Sequence, residues 1–84
     1  MLNETIGRFL LKLQEETNDS EMSYFDKYRI GKEIGLVANI QTDHIVEILA
    51  KEGYVSNCKG NSNIRLTDEG HKRLGNNQVE ETLY

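Results

Sequence analysis

Apolar residues recur along the chain in runs that first look helical and later look like strands. Ile6, Phe9, Leu10 and Leu13 stand at i, i+3, i+4 and i+7, the spacing that lines one face of a helix, here from about Asn3 to Thr17. Asn3 offers a side-chain acceptor suited to the N-cap. Leu2 extends the stripe and Leu11 points away from it. The polar run Thr17-Asn18-Asp19-Ser20 ends the pattern. A second helix is predicted over Asp26 to Gly35, capped by Asp26, with Ile30 and Ile34 inward and Gly35 closing it in a left-handed conformation. Gly31 lies inside that helix at a cost of about 1 kcal/mol in helix propensity relative to alanine. Such a residue makes sense where another helix passes close by, and the expected crossing is with a third helix, with Ile34, Ile45, Ile48 and Leu49 around it.

That third helix starts at Ile40 or Gln41 and runs to Glu52, with Ile45, Ile48 and Leu49 inward and Gly53 after its end. Tyr54 to Cys58 reads as a strand, Lys59-Gly60-Asn61-Ser62-Asn63 as a turn, and Ile64-Arg65-Leu66 as the returning strand. Thr67 caps a short last helix through Leu74, and Gly75-Asn76-Asn77 breaks it. The domain is therefore expected over 1–75. The polar, acidic residues 76–84 have the composition of a disordered tail. No internal repeat is present.

The residues at the joints make the order of elements more specific. Ile30-Gly31-Lys32-Glu33-Ile34-Gly35-Leu36 resembles the first helix and turn of a helix-turn-helix. Leu49-Ala50-Lys51-Glu52-Gly53-Tyr54-Val55 resembles the end of a recognition helix and the start of a β-wing. Ile64-Arg65-Leu66-Thr67-Asp68-Glu69-Gly70, followed by Lys72-Arg73-Leu74, resembles the passage from wing to last helix. Together the three joints resemble the winged helix-turn-helix superfamily, including MarR-like and related bacterial and archaeal regulators. The resemblance covers residues 23–75. It implies an α+β, mainly α fold: a three-helix core, a two-stranded wing and a short C-terminal helix. One departure is the segment Leu36 to Gln41, about one residue longer than the usual tight turn and unusually apolar, which leaves the start of the third helix open.

The resemblance also implies duplex DNA as partner, with the third helix in the major groove and the wing on the backbone. On that basis Gln41, Thr42, Asp43, His44, Glu47 and Lys51 are placed on the outer side of the helix. Gln41 suits an adenine edge, and His44 or Lys51 a guanine or phosphate. Asp43 and Glu47 repel phosphates, although a carboxylate can accept from cytosine. In the wing, Lys59 and Arg65 flank Gly60, Asn61, Ser62 and Asn63, a combination suited to phosphate contact. Lys27, Tyr28, Arg29 and Lys32 are further phosphate candidates, or simply solubilising charges. The DNA-binding set is thus Gln41, Thr42, His44, Lys51, Lys59, Asn61 and Arg65.

Charge complicates this picture. The chain of 84 residues carries a net −4, but the acidity lies at its ends. Residues 1–22 hold five acids against two bases, and the tail adds Glu80 and Glu81. Residues 23–75 hold eight Lys or Arg against seven Asp or Glu, which leaves +1. A nearly neutral middle is not a strongly basic footprint, so a second expectation stands beside DNA: a winged-helix module that binds protein.

Other chemistry is sparse. Cys58 is the only cysteine, which excludes an internal disulfide, and no apolar run could span a bilayer. With no signal-peptide pattern, a soluble cytoplasmic protein is the expectation. His44, Cys58 and His71 lack metal-ligand spacing, so no metal or cofactor is expected. No nucleophile, oriented base and oxyanion hole come together, so neither is catalysis. A domain this small has little core of its own, and a homodimer through helix one is expected, using Leu2 and Leu11 with Tyr24, Phe25, Leu83 or Tyr84.

Overall fold

Residues 2–19, 24–58 and 60–74 are described by the structure, a computed structural model, with side chains from residue 4 onward. The elements are α1 (Leu2–Asp19), β1 (Phe25–Asp26), α2 (Lys27–Glu33), α3 (Asn39–Lys51), β2 (Val55–Asn57) and β3 (Asn63–Leu66). A further helix, α4, occupies the described residues 68–74. The fold is mainly helical, with one small antiparallel sheet in the order β1-β3-β2.

The helix α1 begins one residue ahead of its expected cap, so Asn3 lies within it. It also runs through the polar residues expected to stop it. Within that stretch the Thr17 hydroxyl turns back to donate to the Leu13 carbonyl at 2.8 Å. Phe9, Leu10 and Leu13 are buried as the stripe requires, Ile6 packs at its edge, and Leu11 faces solvent.

Asp26 caps α2, its carboxylate accepting the Tyr28 backbone N–H at 3.0 Å. The α2 and α3 C-termini close in the same way. After α2, Gly35 at φ 95 lets its own N–H return to the Lys32 carbonyl and the Leu36 N–H to Gly31. After α3, Gly53 at φ 81 does the same to Ala50, and Tyr54 to Leu49. These bonds satisfy carbonyls that a helix end otherwise leaves without partners. The α3 start, Asn39, is one residue earlier than Ile40 and two earlier than Gln41, the two expected positions. Its N-cap is Ala38, which has no side-chain acceptor; instead the Ala38 N–H donates to Gln41 Oε1 at 3.4 Å.

The inward face of α3 is Thr42, Ile45, Val46 and Leu49. Thr42 and Val46 replace the expected Ile48, which is only half-buried. Gly31 is also buried, and it explains the rotation. A Cβ built on Gly31 would run into the Thr42 hydroxyl and its Cβ and Cγ2, so α2 and α3 cross with a missing side chain on one and a threonine on the other. The crossing was expected; its partner was not.

The hairpin β2–β3 pairs Val55 with Leu66, Ser56 with Arg65 and Asn57 with Ile64. On β3, Ile64 and Leu66 point into the core, while Asn63 and Arg65 alternate outward. On its other edge, β3 pairs with β1, Phe25 opposite Ile64 and Asp26 opposite Asn63. That two-residue strand was not expected. It buries Phe25 at 6 % exposure, which corrects the assignment of Phe25 to a dimer surface. Thr67 then donates to the Gly53 carbonyl at 2.6 Å and accepts the Gly70 N–H at 3.1 Å, tying the start of α4 to the end of α3. Gly70 is buried against the Tyr54 carbonyl and Leu66.

Gly31→Ala would gain about 1 kcal/mol in helix propensity yet is expected to lose about 1–3 kcal/mol net through overpacking against Thr42. In the Thr42→Ala background the same change should cost clearly less. Urea denaturation of the two single variants and the double variant measures this coupling; additive effects would place the helix crossing elsewhere.

Candidate functional site

An open groove of about 600 Å³ lies between α3 and the hairpin, closed at one side by the start of α2. Tyr28, Asp43, Glu47, Lys51, Asn57 and Asn61 border it, with Val46 and Ala50 among the apolar residues lining it. Three elements bring these residues together. The Lys27 backbone N–H donates to the Ser62 carbonyl at 2.9 Å, which fastens the first residue of α2 to the hairpin. The Gly31–Thr42 contact sets the rotation of α3. The hairpin's shape comes from its own turn: Cys58 N–H donates to the Asn63 carbonyl at 3.0 Å, and Asn63 N–H to Asn61 Oδ1 at 2.8 Å. Such an Asx bond holds a turn in place of a backbone contact. The Asn61 amide also donates to Cys58 Sγ at 3.6 Å. Asn61 is exposed at the tip, but its side chain first serves the turn.

The candidate residues do not form one cluster. Lys51 and Asn61 border the groove. Gln41 and His44 are exposed on the N-terminal half of α3, away from it. Arg65 lies on the outward side of β3, half-buried and not among the groove residues. Thr42 is 1 % exposed beneath Gly31, so its placement on the outer side of α3 is corrected: it is a core residue and cannot meet a partner. The rotation that buries Thr42 turns Ile40, His44, Glu47 and Lys51 outward as one stripe. Ile40 is not among the candidate residues, because an apolar side chain carries no charge or hydrogen-bonding group that would mark it as a contact. Lys59 lies outside the described residues, as do Leu83, Tyr84 and the Leu2 side chain proposed for a dimer. Leu11 and Tyr24 remain exposed, at 43 % and 44 %.

The cations around α2 are mostly engaged within the molecule. Lys27 Nζ stands 3.0 Å from Asp43 Oδ1, and the Tyr28 hydroxyl donates to the same oxygen at 2.8 Å. Lys27 Nζ also lies 5.2 Å from the centre of the Tyr28 ring. Hydrogen bonds from Lys27 and Tyr28 hold the Asp43 carboxyl below its ordinary 3.8. Tyr28 is raised chiefly by its bond to Asp43. For Lys27, burial acts to lower the pKa, but its hydrogen bond and attraction to Asp43 win, and the net direction is up. Arg29 bridges Glu16 of α1 at 2.7 Å and Glu33 at 2.9 Å, with its guanidinium 5.9 Å from the centre of the Phe25 ring. Its bond to Glu16 is the main cause of its raised pKa. Lys51, Lys32 and Arg65 make no ion pair among the described residues. No three His, Cys, Asp or Glu side chains among the described residues gather as a metal ion would require. No described helix is long and apolar enough to cross a membrane.

The Lys27–Tyr28–Asp43 cluster gives stability a defined pH range. Asp43 has a depressed folded pKa, so its contribution is complete above about pH 4 and is lost as pH falls through that folded value. Lys27 and Tyr28 are raised, so theirs is present below their ordinary 10.5 and 10.0 and disappears as pH climbs through the higher folded values. Thermal melts of the wild type and Asp43→Asn from pH 7 to pH 2.5 should differ most at neutral pH and converge below pH 4. A constant difference across that range would mean that the carboxylate charge contributes nothing.

Comparison of the chain with protein-family models, curated proteins and solved structures finds no match in any of the three.

Proposed function

We propose that this chain is a winged helix-turn-helix domain that binds duplex DNA, with α3 in the major groove and the β2–β3 hairpin as a wing on the backbone. The observation that carries the reading is the side-by-side placement of α3 and the hairpin, with the outward stripe of α3 uncovered. The order helix, strand, helix, helix, hairpin, helix also supports it, as does a sheet in which the hairpin's second strand lies between its first and β1. A helix of 13 residues with one uncovered side is of a size and shape the major groove admits.

Within this reading Gln41 offers its amide to an adenine edge, and His44 meets a guanine or a phosphate. Lys51, Arg65 and Lys59 supply phosphate contacts, which fix position without reading sequence. Glu47 faces the same partner and accepts from a cytosine amino group or else opposes binding. Lys27 and Arg29 contribute little, because each is paired internally. The affinity is therefore modest, and its electrostatic part rests on few cations.

A second reading is favoured by the groove itself. Lys27 and Asp43 neutralise each other there, Glu47 stands beside Lys51, and the chain as a whole is acidic. A groove of mixed, balanced charge suits a polar protein partner at least as well as a polyanion.

Fluorescence anisotropy of a labelled duplex at two salt concentrations separates the two. DNA binding should weaken with salt, with a log–log slope of about −0.9 for each phosphate contacted. Lys51→Ala and Arg65→Ala should each reduce the slope by about one contact on every sequence. Gln41→Ala should leave the slope alone and relax preference at one base pair. Absence of any binding at low salt would remove the DNA reading and leave the protein partner.

A further inference from the structure

Val37 and Ile40 are the most exposed large apolar side chains among the described residues, at 90 % and 76 %. Val37 lies in the turn after Gly35, and Ile40 in the first turn of α3. Neither supports the core, which is built from the opposite side of the helix. Their surroundings indicate what would cover them. The neighbours Asn39, Gln41 and His44 are exposed hydrogen-bonding side chains. The first turn of α3 contains no acid, and Asp43 is turned toward Lys27 and Tyr28. No Lys or Arg occurs between Lys32 and Lys51. This tip therefore neither repels a polyanion nor grips its phosphates.

Size narrows the choice further. A stable protein interface buries roughly 800 Å² on each partner and involves some 20–30 residues a side. Two apolar side chains amid polar ones fall well short of that. An apolar, uncharged tip flanked by amides and an imidazole fits the floor of the major groove instead. There the thymine C5-methyl is the one apolar group, beside the adenine N6 and N7 edge that an amide can read.

We propose that Val37 and Ile40 contact thymine methyl groups and bias this domain toward A·T pairs at the positions α3 meets. The proposal rests on the DNA-binding reading above and adds the base class that the site prefers.

A comparison of thymine with uracil tests it without knowledge of a target sequence. A short alternating dA–dT duplex presents a methyl at every base pair, and the same duplex made with deoxyuridine differs only in lacking them. The wild type should bind the thymine duplex more tightly, by about fourfold for each methyl buried and so roughly fifteenfold for two. The Val37→Ala/Ile40→Ala variant should bind the uracil duplex as the wild type does and lose the preference for thymine. Both side chains are exposed, so the variant should keep its fold, and a matching thermal melt checks this. Equal wild-type binding to the two duplexes overturns the methyl contact while leaving the DNA reading in place. A preference that survives in the variant overturns the assignment to these residues. Binding to neither duplex at low salt removes both readings. Self-association in sedimentation that the variant abolishes assigns the patch to a second copy of the chain and overturns the proposal.

Discussion

The close passage of α2 over α3 at Gly31 and Thr42 is the constraint on which the surface depends. With no side chain on one helix and a buried threonine on the other, the two axes approach more closely than any larger pair would allow. A helix pinned at one point of its circumference has little freedom to rotate. The inward set Thr42, Ile45, Val46 and Leu49 follows, and the outward set Ile40, His44, Glu47 and Lys51 follows with it. What a partner meets is therefore decided by a contact it never touches.

The charged residues of α2 show a division of labour that composition conceals. Lys27, Tyr28 and Arg29 read as phosphate contacts by type and position. Two hold neighbouring helices through Asp43 and Glu16, and Tyr28 joins the first of these pairs. Exposed pairs of this kind stabilise weakly, about 0–1 kcal/mol each. Their larger effect is on the field around α3, since a paired cation attracts a polyanion less than a free one. The cations left unpaired near the groove and hairpin are few, which is why salt dependence is the informative measurement for this molecule.

Much of the architecture was legible because each signal was local. The Ile6, Phe9, Leu10 and Leu13 stripe, the Asp26 cap, Gly35 and Gly53 after helix ends, and the Gly/Asn-rich turn each act through neighbours a few residues away. The strand β1 left no such signal. Two residues cannot display an alternation, and Phe25–Asp26 becomes a strand only because β3 offers it an edge. The site was less legible than the fold. Thr42 looked like a surface residue because a hydroxyl reads as polar. Its place on the helix was inferred from residue type, while the rotation of α3 is set by a glycine on a different helix.

The sequence by itself determined the order of helices and hairpin, the ends of α2 and α3 and the inward face of α1. Those features follow from backbone conformation and from spacing along one element, which a linear string contains. Tertiary structure decided the third strand, the pairing of Lys27 and Arg29, the burial of Thr42 and Phe25 and the exposure of Ile40. Each of these depends on the distance between atoms far apart in sequence, and that distance exists only once the elements have packed.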